Sequence, residues 1–448
     1  MANSLDALVP EHWSNEALVL LHENMVASSL VHRDFEDEVA DFGDVVNTRR
    51  PVDFVSKRKG ANDDVTLQDA QSTNVAVPLD QHLHVSFIIR DSEQSKAFQE
   101  LTRIYLEPAI IAQARLLDRI VLGQYVHFLG NLGGNSGALT NSNVVNGILG
   151  TRQVMNENKS PLDPRYMVWN PESEAVALGS DTFHEADKVG DDGSALREAS
   201  LGKKLGFWHF MDQNMSNTLD SLTDKNATGA INAGNLTKGS TALTVDGFSA
   251  AIENNSYVTV NGRPHRVVST VGGATPTTIN VTPGLTENIS DNDVVVVFGQ
   301  GAVNGAQAVK YDKYITFDTF TNPPQIGQAV SFGTDSTSAE YVVTDVTGLT
   351  MQLDRPLEVA LADNAAINIG PSGPMNFAFN RNAIGLITRP LVPPRSGSGA
   401  ISSVVNSMGM SMRATISYDG IKQGHIVTLD MLCGVKVLDT NMGAVLLG

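Results

Sequence analysis

Hydrophobic positions recur at helical spacing in two stretches of the first 130 residues, and at a period of two in much of the remainder. Over 14–31, Ala17, Leu18, Leu21 and Met25 fall on one helical face behind Ser14, a good N-cap. From Val45 to Val55 the pattern is extended, 61–74 is polar and reads as a loop tip, and Val75, Val77, Leu79, Leu83, Val85, Phe87 and Ile89 alternate up to Arg90. This predicts one long hairpin with no core of its own. Asp91 or Ser92 can cap the next helix, and Pro108 suits a first helical position or a kink. Beyond it, Ile110, Ala114, Leu117, Val121, Tyr125 and Phe128 step by four and three. That is one apolar stripe on a helix of about 30 Å. Glycines 130, 133, 134 and 137 end it and read as a hinge.

Residues 165–171 (RYMVWNP) predict a short buried strand, a helix-capable stretch follows to Leu201, and 202–215 turns into another strand. From about Thr223 to Gly370 the chain is rich in Thr, Val, Asn and Gly, and helix formers are sparse. Residues 242–297 and 314–369 share an order: strand, turn, two strands, a Thr/Leu-rich strand, then Asp-Asn before a closing strand. This duplication predicts an inserted β-barrel or paired β-modules. FAFNRNAIGLITRPLVPP (377–394) reads as a strand stopped by a proline pair, RSGSG (395–399) as a link, and Met408–Val437 as two strands joined around Asp419-Gly420. Met408, Met410, Met412, Ala414, Ile416 and Tyr418 share one face, as a one-sided buried strand requires. That face is predicted to pack on the long helix.

Bulk properties narrow the class. The 448 residues allow two or three domains, and 42% hydrophobic content supports sizeable cores. A formal charge of -18 argues against a general nucleic-acid binder, but does not exclude a container whose inner wall must not hold DNA. The one cysteine, Cys433, rules out an intramolecular disulfide. No signal-peptide pattern is evident at the start, and no run of about 18 apolar residues predicts a membrane span.

Three segments carry a family resemblance: RIYLEPAIIAQARLLDRIV (103–121), FAFNRNAIGLITRPLVPP (377–394) and IVTLDMLCGVKVLDTNMGAVLLG (426–448). The middle one is the most specific, with Asn380-Arg381-Asn382-Ala383 followed by Thr388-Arg389-Pro390-Leu391. With the order of elements, they resemble major capsid proteins of tailed phages with the Hong Kong 97-type fold, in the podovirus-type coat subgroup carrying an inserted I-domain. The resemblance implies an α+β fold: N-terminal arm (1–43), extended-loop hairpin (44–92), peripheral domain with a spine helix (93–135), axial domain (136–222), inserted β-barrel-like I-domain possibly in two similar halves (223–370), and C-terminal strands (371–448) completing the peripheral and axial domains. It implies a non-enzymatic subunit that self-assembles as hexamers and pentamers into an icosahedral shell around double-stranded DNA. It also implies a scaffolding protein and a portal as partners and allows a decoration protein, with no cofactor, no membrane, and a place in the virion after assembly in the host cytoplasm. An encapsulin-like compartment shell keeps the fold and changes the job. A β-rich carbohydrate-binding or tail-associated adhesin would account for 223–370 alone.

The candidate contact residues are Asp34, Glu36, Asp37, Glu38 and Asp41 in an acidic stretch, and Arg49, Arg50, Lys57, Arg58 and Lys59 in a basic one. Opposite charge could pair them between subunits and fix register. Two solvated charge runs are the plain reading, and contact of the cations with DNA is a third. Some members of the family it resembles join Lys to Asn covalently between subunits, a role the resemblance would give Lys57 or Lys59, but no assisting carboxylate is assignable. His82 and His84 share a strand face without an evident third metal ligand. GNLGGNSG (130–137) lacks the Lys-Ser/Thr of a phosphate loop. Asp291, Asn292 and Asp293 read as a solvated turn before a calcium site, and Cys433 as a buried small hydrophobe.

Overall fold

The computed structural model describes residues 17, 19, 21, 25–33, 45–49, 54, 56–62, 64–65, 67–68, 74–91, 98–134, 139–184, 199–215, 225–273, 275–307, 314–318, 320, 323–370, 374–389, 391–395, 399–407 and 410–447. Residues 17, 19 and 21 are helical, but Met25 and Val26 are not, and a separate short helix runs Ala27–Leu30. The single helix expected over 14–31 is broken because a buried carboxylate captures its backbone. Asp118 accepts from the Val26 amide at 3.0 Å and the Ser28 amide at 2.8 Å. Ala17, Leu21, Met25, Ala27, Leu30 and Val31 lie in the main core of their own chain.

Strands β1 (Val45–Arg49) and β2 (Asn74–Pro78) pair antiparallel as a two-stranded ribbon. The single strand expected from Val75 to Arg90 stops at Pro78, which has no N–H to extend a ladder. The chain then starts β3 (Gln81–Arg90), which joins another sheet. The long helix covers Phe98–Leu122, with Pro108 inside it, and continues as a 3-10 turn over Gly123–Phe128. Its predicted stripe from Ile110 to Phe128 is buried throughout.

The glycines that follow are not a hinge at Gly133. With Leu132 it forms β4 (Leu132–Gly133), and a Cβ there would lie 2.4 Å from the Thr151 Cα in the helix Val144–Glu157. The helix packs that close only because no side chain intervenes. β5 (Arg165–Trp169) is buried, as expected. The helix Pro171–Leu178 follows, with Asn170 accepting from the Glu172 amide at 2.8 Å and proline in its first turn. β6 (Lys203–Lys204) and β7 (Phe207–Met211) complete this part.

Two small closed barrels come next. The first contains β8 (Lys225–Ile231), β9 (Ala242–Asp246), β10 (Tyr257–Val260), β11 (Arg263–Val271), β12 (Thr278–Thr282) and β13 (Val294–Phe298). The second contains β14 (Gln300–Val303), β15 (Tyr314–Asp318), β16 (Ala329–Phe332), β17 (Tyr341–Thr347), β18 (Thr350–Leu353) and β19 (Ala366–Ile369). Around each ring the strands run first, second, fifth, fourth, third, sixth. The fourth strand is irregular at Val267/Ser269 in one and at Val343/Asp345 in the other. Asn292 and Asn364 both take a left-handed backbone before the closing strand, at φ 66° and 61°. Each expected half, 242–297 and 314–369, holds five strands of a six-stranded barrel whose first strand precedes it; the two barrels share one topology and each has its own apolar core.

The 377–389 segment is two strands. β20 (Met375–Asn380) ends in a 3-10 turn at Arg381–Ala383, and β21 (Ile384–Arg389) leaves in a different sheet. Asn380 makes the corner by accepting from the Asn382 amide at 3.1 Å. β22 (Ala400–Ser407) was not foreseen from the sequence. β23 (Met410–Asp419) and β24 (Gly424–Val437) are the expected pair, and β25 (Gly443–Leu447) closes the chain. One sheet runs β4-β25-β20-β5-β7-β6, and the other β21-β24-β23-β22 with β3 along β24. Met410, Met412 and Ala414 share the main core with Leu106, Ile110, Ala114 and Leu117 of the long helix. Gln113 also donates to the Leu429 carbonyl at 2.8 Å, fixing helix to sheet.

Candidate assembly interface

The ribbon has a small apolar core at its base. Val46, Val77 and Ile387 form a small core with Leu79 and Leu438 packed on it. Beyond the Arg49–Asn74 pair the described residues become exposed: Phe54 at 63%, Val65 at 70% and Leu67 at 89%, alongside Lys57, Arg58 and Lys59. A two-stranded ribbon is marginal in water. This one carries Phe54, Val65 and Leu67 in solvent beside the cations Lys57, Arg58 and Lys59.

The barrels, in contrast, are fastened to the body. Arg119 of the long helix donates to the Thr344 carbonyl at 3.0 Å, Tyr125 to Gly327 at 3.0 Å, and Arg263 to Gly134 at 3.0 Å. Between the barrels, Asn255 donates to the Phe332 carbonyl at 3.3 Å and Asn368 to the Asn254 carbonyl at 3.4 Å. At this junction lies a cavity of about 250 Å³ lined by His127, Tyr257, His265, Arg266 and Glu340 among others. Tyr257 donates to Glu340 at 3.3 Å, and Arg266 stands 3.6 Å from the same oxygen. Burial raises the Glu340 carboxyl, against the pull of Arg266. Burial also pushes His127 down to about 3, aided by Arg355, Lys436 and Arg266. The network satisfies its own charges, so it reads as a structural joint.

Of the predicted contact residues, Asp34, Glu36, Asp37, Glu38, Asp41 and Arg50 lie outside the described residues. Arg49 ends β1 opposite Asn74, and Lys57, Arg58 and Lys59 stand exposed at the ribbon tip. His82 and His84 sit on β3 with ring centroids 6.1 Å apart, and His82 lies 3.4 Å from Asp430. Among the described residues no group of three or more His, Cys, Asp or Glu is placed to hold a metal ion. In the 291–293 turn Asp293 Oδ2 accepts from the Ser290 amide at 2.8 Å and Asp291 Oδ2 accepts from the Asn292 side-chain amide at 3.0 Å. Cys433 is buried in β24. Sequence reading missed Asp118 and Asp212, both almost fully buried. The signal for Asp118 was an acidic residue beside Leu117 and Val121 on the apolar stripe.

No protein-family model matches the chain, and no curated protein matches it in sequence. Solved structures do align with it over nearly its whole length. One is from Mycobacterium phage Che8, at 12% identity over 94% of this chain and 90% of that one, with a TM-score of 0.45. A second is the capsid structure of the cyanophage P-SCSP1u, at 11% identity over 94% and 88%, with a TM-score of 0.46. A third is the asymmetric unit of the mature capsid of bacteriophage PhiM1, at 9% identity over 91% and 82%, with a TM-score of 0.40. Phage capsids are thus among the solved structures to which this strand-dominated α/β chain is similar, at about one identical residue in ten.

Proposed function

We propose that this chain is the major capsid subunit of a tailed phage, a non-enzymatic protein that self-assembles into an icosahedral shell around double-stranded DNA. The observation that carries the reading is the β1–β2 ribbon. It is anchored at its base by Val46, Val77 and Ile387, and it holds Phe54, Val65 and Leu67 in solvent. Such a ribbon gains most by lying across a neighbouring copy. The acidic 34–44 stretch and the basic residues Arg49, Arg50, Lys57, Arg58 and Lys59 are the proposed inter-subunit contacts. Charge pairing there sets register more than affinity. Hexamers and pentamers, a separate scaffolding protein, a portal and a decoration protein follow from the resemblance of the 377–394 motif. So do the extended-loop, peripheral, axial and I-domain roles, assembly in the host cytoplasm and placement in the virion. The net charge of -18 suits a wall that does not retain DNA. An adhesin built on 223–370 fits less well, because its barrels are bonded to the long helix through Arg119 and Tyr125.

The test is electron microscopy of the full chain, expressed with the candidate scaffolding protein, beside a variant in which 54–68 is replaced by a short Gly-Ser turn. Closed shells from the full chain, and folded but unassembled subunits from the variant, are the expected outcome. Shells from both would refute the role of the ribbon, and a monodisperse monomer from both would refute the capsid reading.

A further inference from the structure

We propose that Gly434 sets the direction in which the β1–β2 ribbon leaves the body. Its missing side chain is the seat of the Pro78 corner, and a side chain there re-aims the ribbon and spoils its fit to a neighbouring copy. The seat stands on geometry alone, and its consequence for assembly rests on the capsid reading.

The seat is on β24. Cys433 lies in the core shared with the long helix, and Val435 packs against that core. Gly434 falls between them, so its side-chain position points to the opposite face of the sheet. Across the ladder it pairs with Ile387 of β21. Ile387 is buried with Val46 and Val77 of the ribbon, so the ribbon base rests on that opposite face. At Gly434 the chain comes closer than a side chain would allow. A Cβ there would lie 2.1 Å from the Pro78 carbonyl oxygen, 3.0 Å from the Pro78 carbonyl carbon and 3.4 Å from the Leu79 Cα. Shortly after, Gln81 opens β3 and pairs with Cys433 along the edge of β24. Between Val77 and Gln81 the chain thus passes from the face of β24 to its edge, and it makes the crossing at Gly434.

An alanine at this position forces one side to yield. Ordinary contacts are about 3.5 Å, so the gap must open by about 1 Å or more. β24 is the stiffer side. It runs from Gly424 to Val437, is paired with β21, β23 and β3, and sends Leu429, Met431 and Cys433 into the main core. The apolar base of the ribbon is far smaller: Val46, Val77 and Ile387, with Leu79 and Leu438 packed on them. The corner therefore lifts, and Val46 and Val77 part from Ile387. β1 and β2 are paired from Val45–Pro78 to Arg49–Asn74 and tilt together. The tilt grows with distance from the base, so Phe54, Val65 and Leu67 move further than the corner itself.

Hydrogen exchange of the full chain tests the seat, with wild type beside Gly434→Ala and Gly420→Ala. Gly420 lies in the turn before β24, where a Cβ meets nothing within 4 Å, and its variant should match wild type. In Gly434→Ala the amides of 45–49 and 74–77 should exchange faster by about tenfold or more, the scale of an overpacking cost. Those of 98–122 and 424–431 should keep their wild-type rates. Equal acceleration in β24 would mean that the sheet yields, and no acceleration would mean that nothing is displaced. Either result overturns the seat. Should Gly434→Ala fail to fold, the wild type decides: its 74–77 amides should exchange through an opening that leaves β24 protected, and equal protection of the two overturns the proposal.

For the direction of the ribbon, the same chains are expressed with the candidate scaffolding protein and viewed by electron microscopy. Closed shells are expected from wild type and Gly420→Ala and are lost in Gly434→Ala. Closed shells of wild-type size from Gly434→Ala would overturn the aiming role. An absence of shells from wild type would remove the capsid reading and the aiming role with it, while the exchange result would still decide the seat.

Discussion

Arg413 and Asp430 face each other directly across the β23–β24 ladder, and the guanidinium grips both carboxylate oxygens, Nε to Oδ1 at 2.9 Å and Nη2 to Oδ2. The Asp430 side chain is only 4% exposed and that of Arg413 18%. Arg413 also donates to the Val392 carbonyl at 2.5 Å, so the pair ties the proline-rich segment after β21 to the sheet. Arg413→Ala would strand a buried charge, and a loss of about 3 kcal/mol in urea unfolding is expected. Arg413→Lys should recover less than half of that, because an ammonium cannot make the two-pronged contact. Equal stability of Lys and Arg variants would show that the bidentate geometry contributes little.

Gly133 separates a hinge from a packing contact. As a hinge it would tolerate alanine. In the structure a Cβ at this position would meet the Thr151 Oγ1 at 2.0 Å and the Thr151 Cα at 2.4 Å, and backbone cannot step aside. Gly133→Ala is expected to cost about 3 kcal/mol or more, the upper end of what overpacking costs, because the clash is with backbone. Gly234→Ala, where nothing lies within 4 Å, is the control and should change stability by under about 0.5 kcal/mol. Thermal melts of the two variants give the comparison.

What the sequence revealed and what it hid divide along a physical line. Periodicity reports which faces are buried, and so the long-helix stripe from Ile110 to Phe128 and the Met410–Ala414 face were legible. Periodicity does not report the partner. Val75 to Leu79 and Leu83 to Ile89 alternate in one register on either side of Gln81, yet Pro78 divides the stretch between the ribbon and the β24 sheet. Residues 377–389 are apolar on both faces, so the corner at Asn380 left only a short Asn-Arg-Asn as its trace. β22 was hidden because AISSVVNS carries no strong alternation. Asp118 was legible only as an anomaly on an apolar face, and its partners, Val26 and Ser28, lie about ninety residues away.

The two barrels predict matched responses at matched positions. Asn292 and Asn364 each adopt positive φ, and each donates its side-chain amide to the preceding aspartate at 3.0 Å. Glycine accepts this backbone freely, whereas a β-branched residue is strained there. Asn292→Gly and Asn364→Gly should each shift stability by under about 0.5 kcal/mol, while the valine variants should each lose about 1–2 kcal/mol. Valine losses differing by more than about twofold in chemical unfolding would argue that the turns are alike in shape only.

His209 makes stability depend on pH on the acid side. The Trp169 indole N–H donates to its Nδ1 at 2.9 Å, and an indole nitrogen can only donate. Nδ1 must therefore carry no proton, and the proton on Nε2 points to the Lys204 carbonyl at 3.1 Å. Burial pushes the ring down to about 4, with the Lys204 bond raising it and the Lys204 charge lowering it. The unfolded ring takes up its proton near the ordinary 6.5, so stability from the neutral ring is full above that value and is lost as pH falls toward 4. The loss amounts to about 3 kcal/mol over that window. His209→Gln, whose amide oxygen can still accept from Trp169, should fold less stably at pH 7.5 but lose less on acidification. Tryptophan fluorescence during urea unfolding at pH 7.5, 6 and 5 reads both effects. A wild type and a variant that lose stability in parallel on acidification would remove His209 from the account of acid sensitivity.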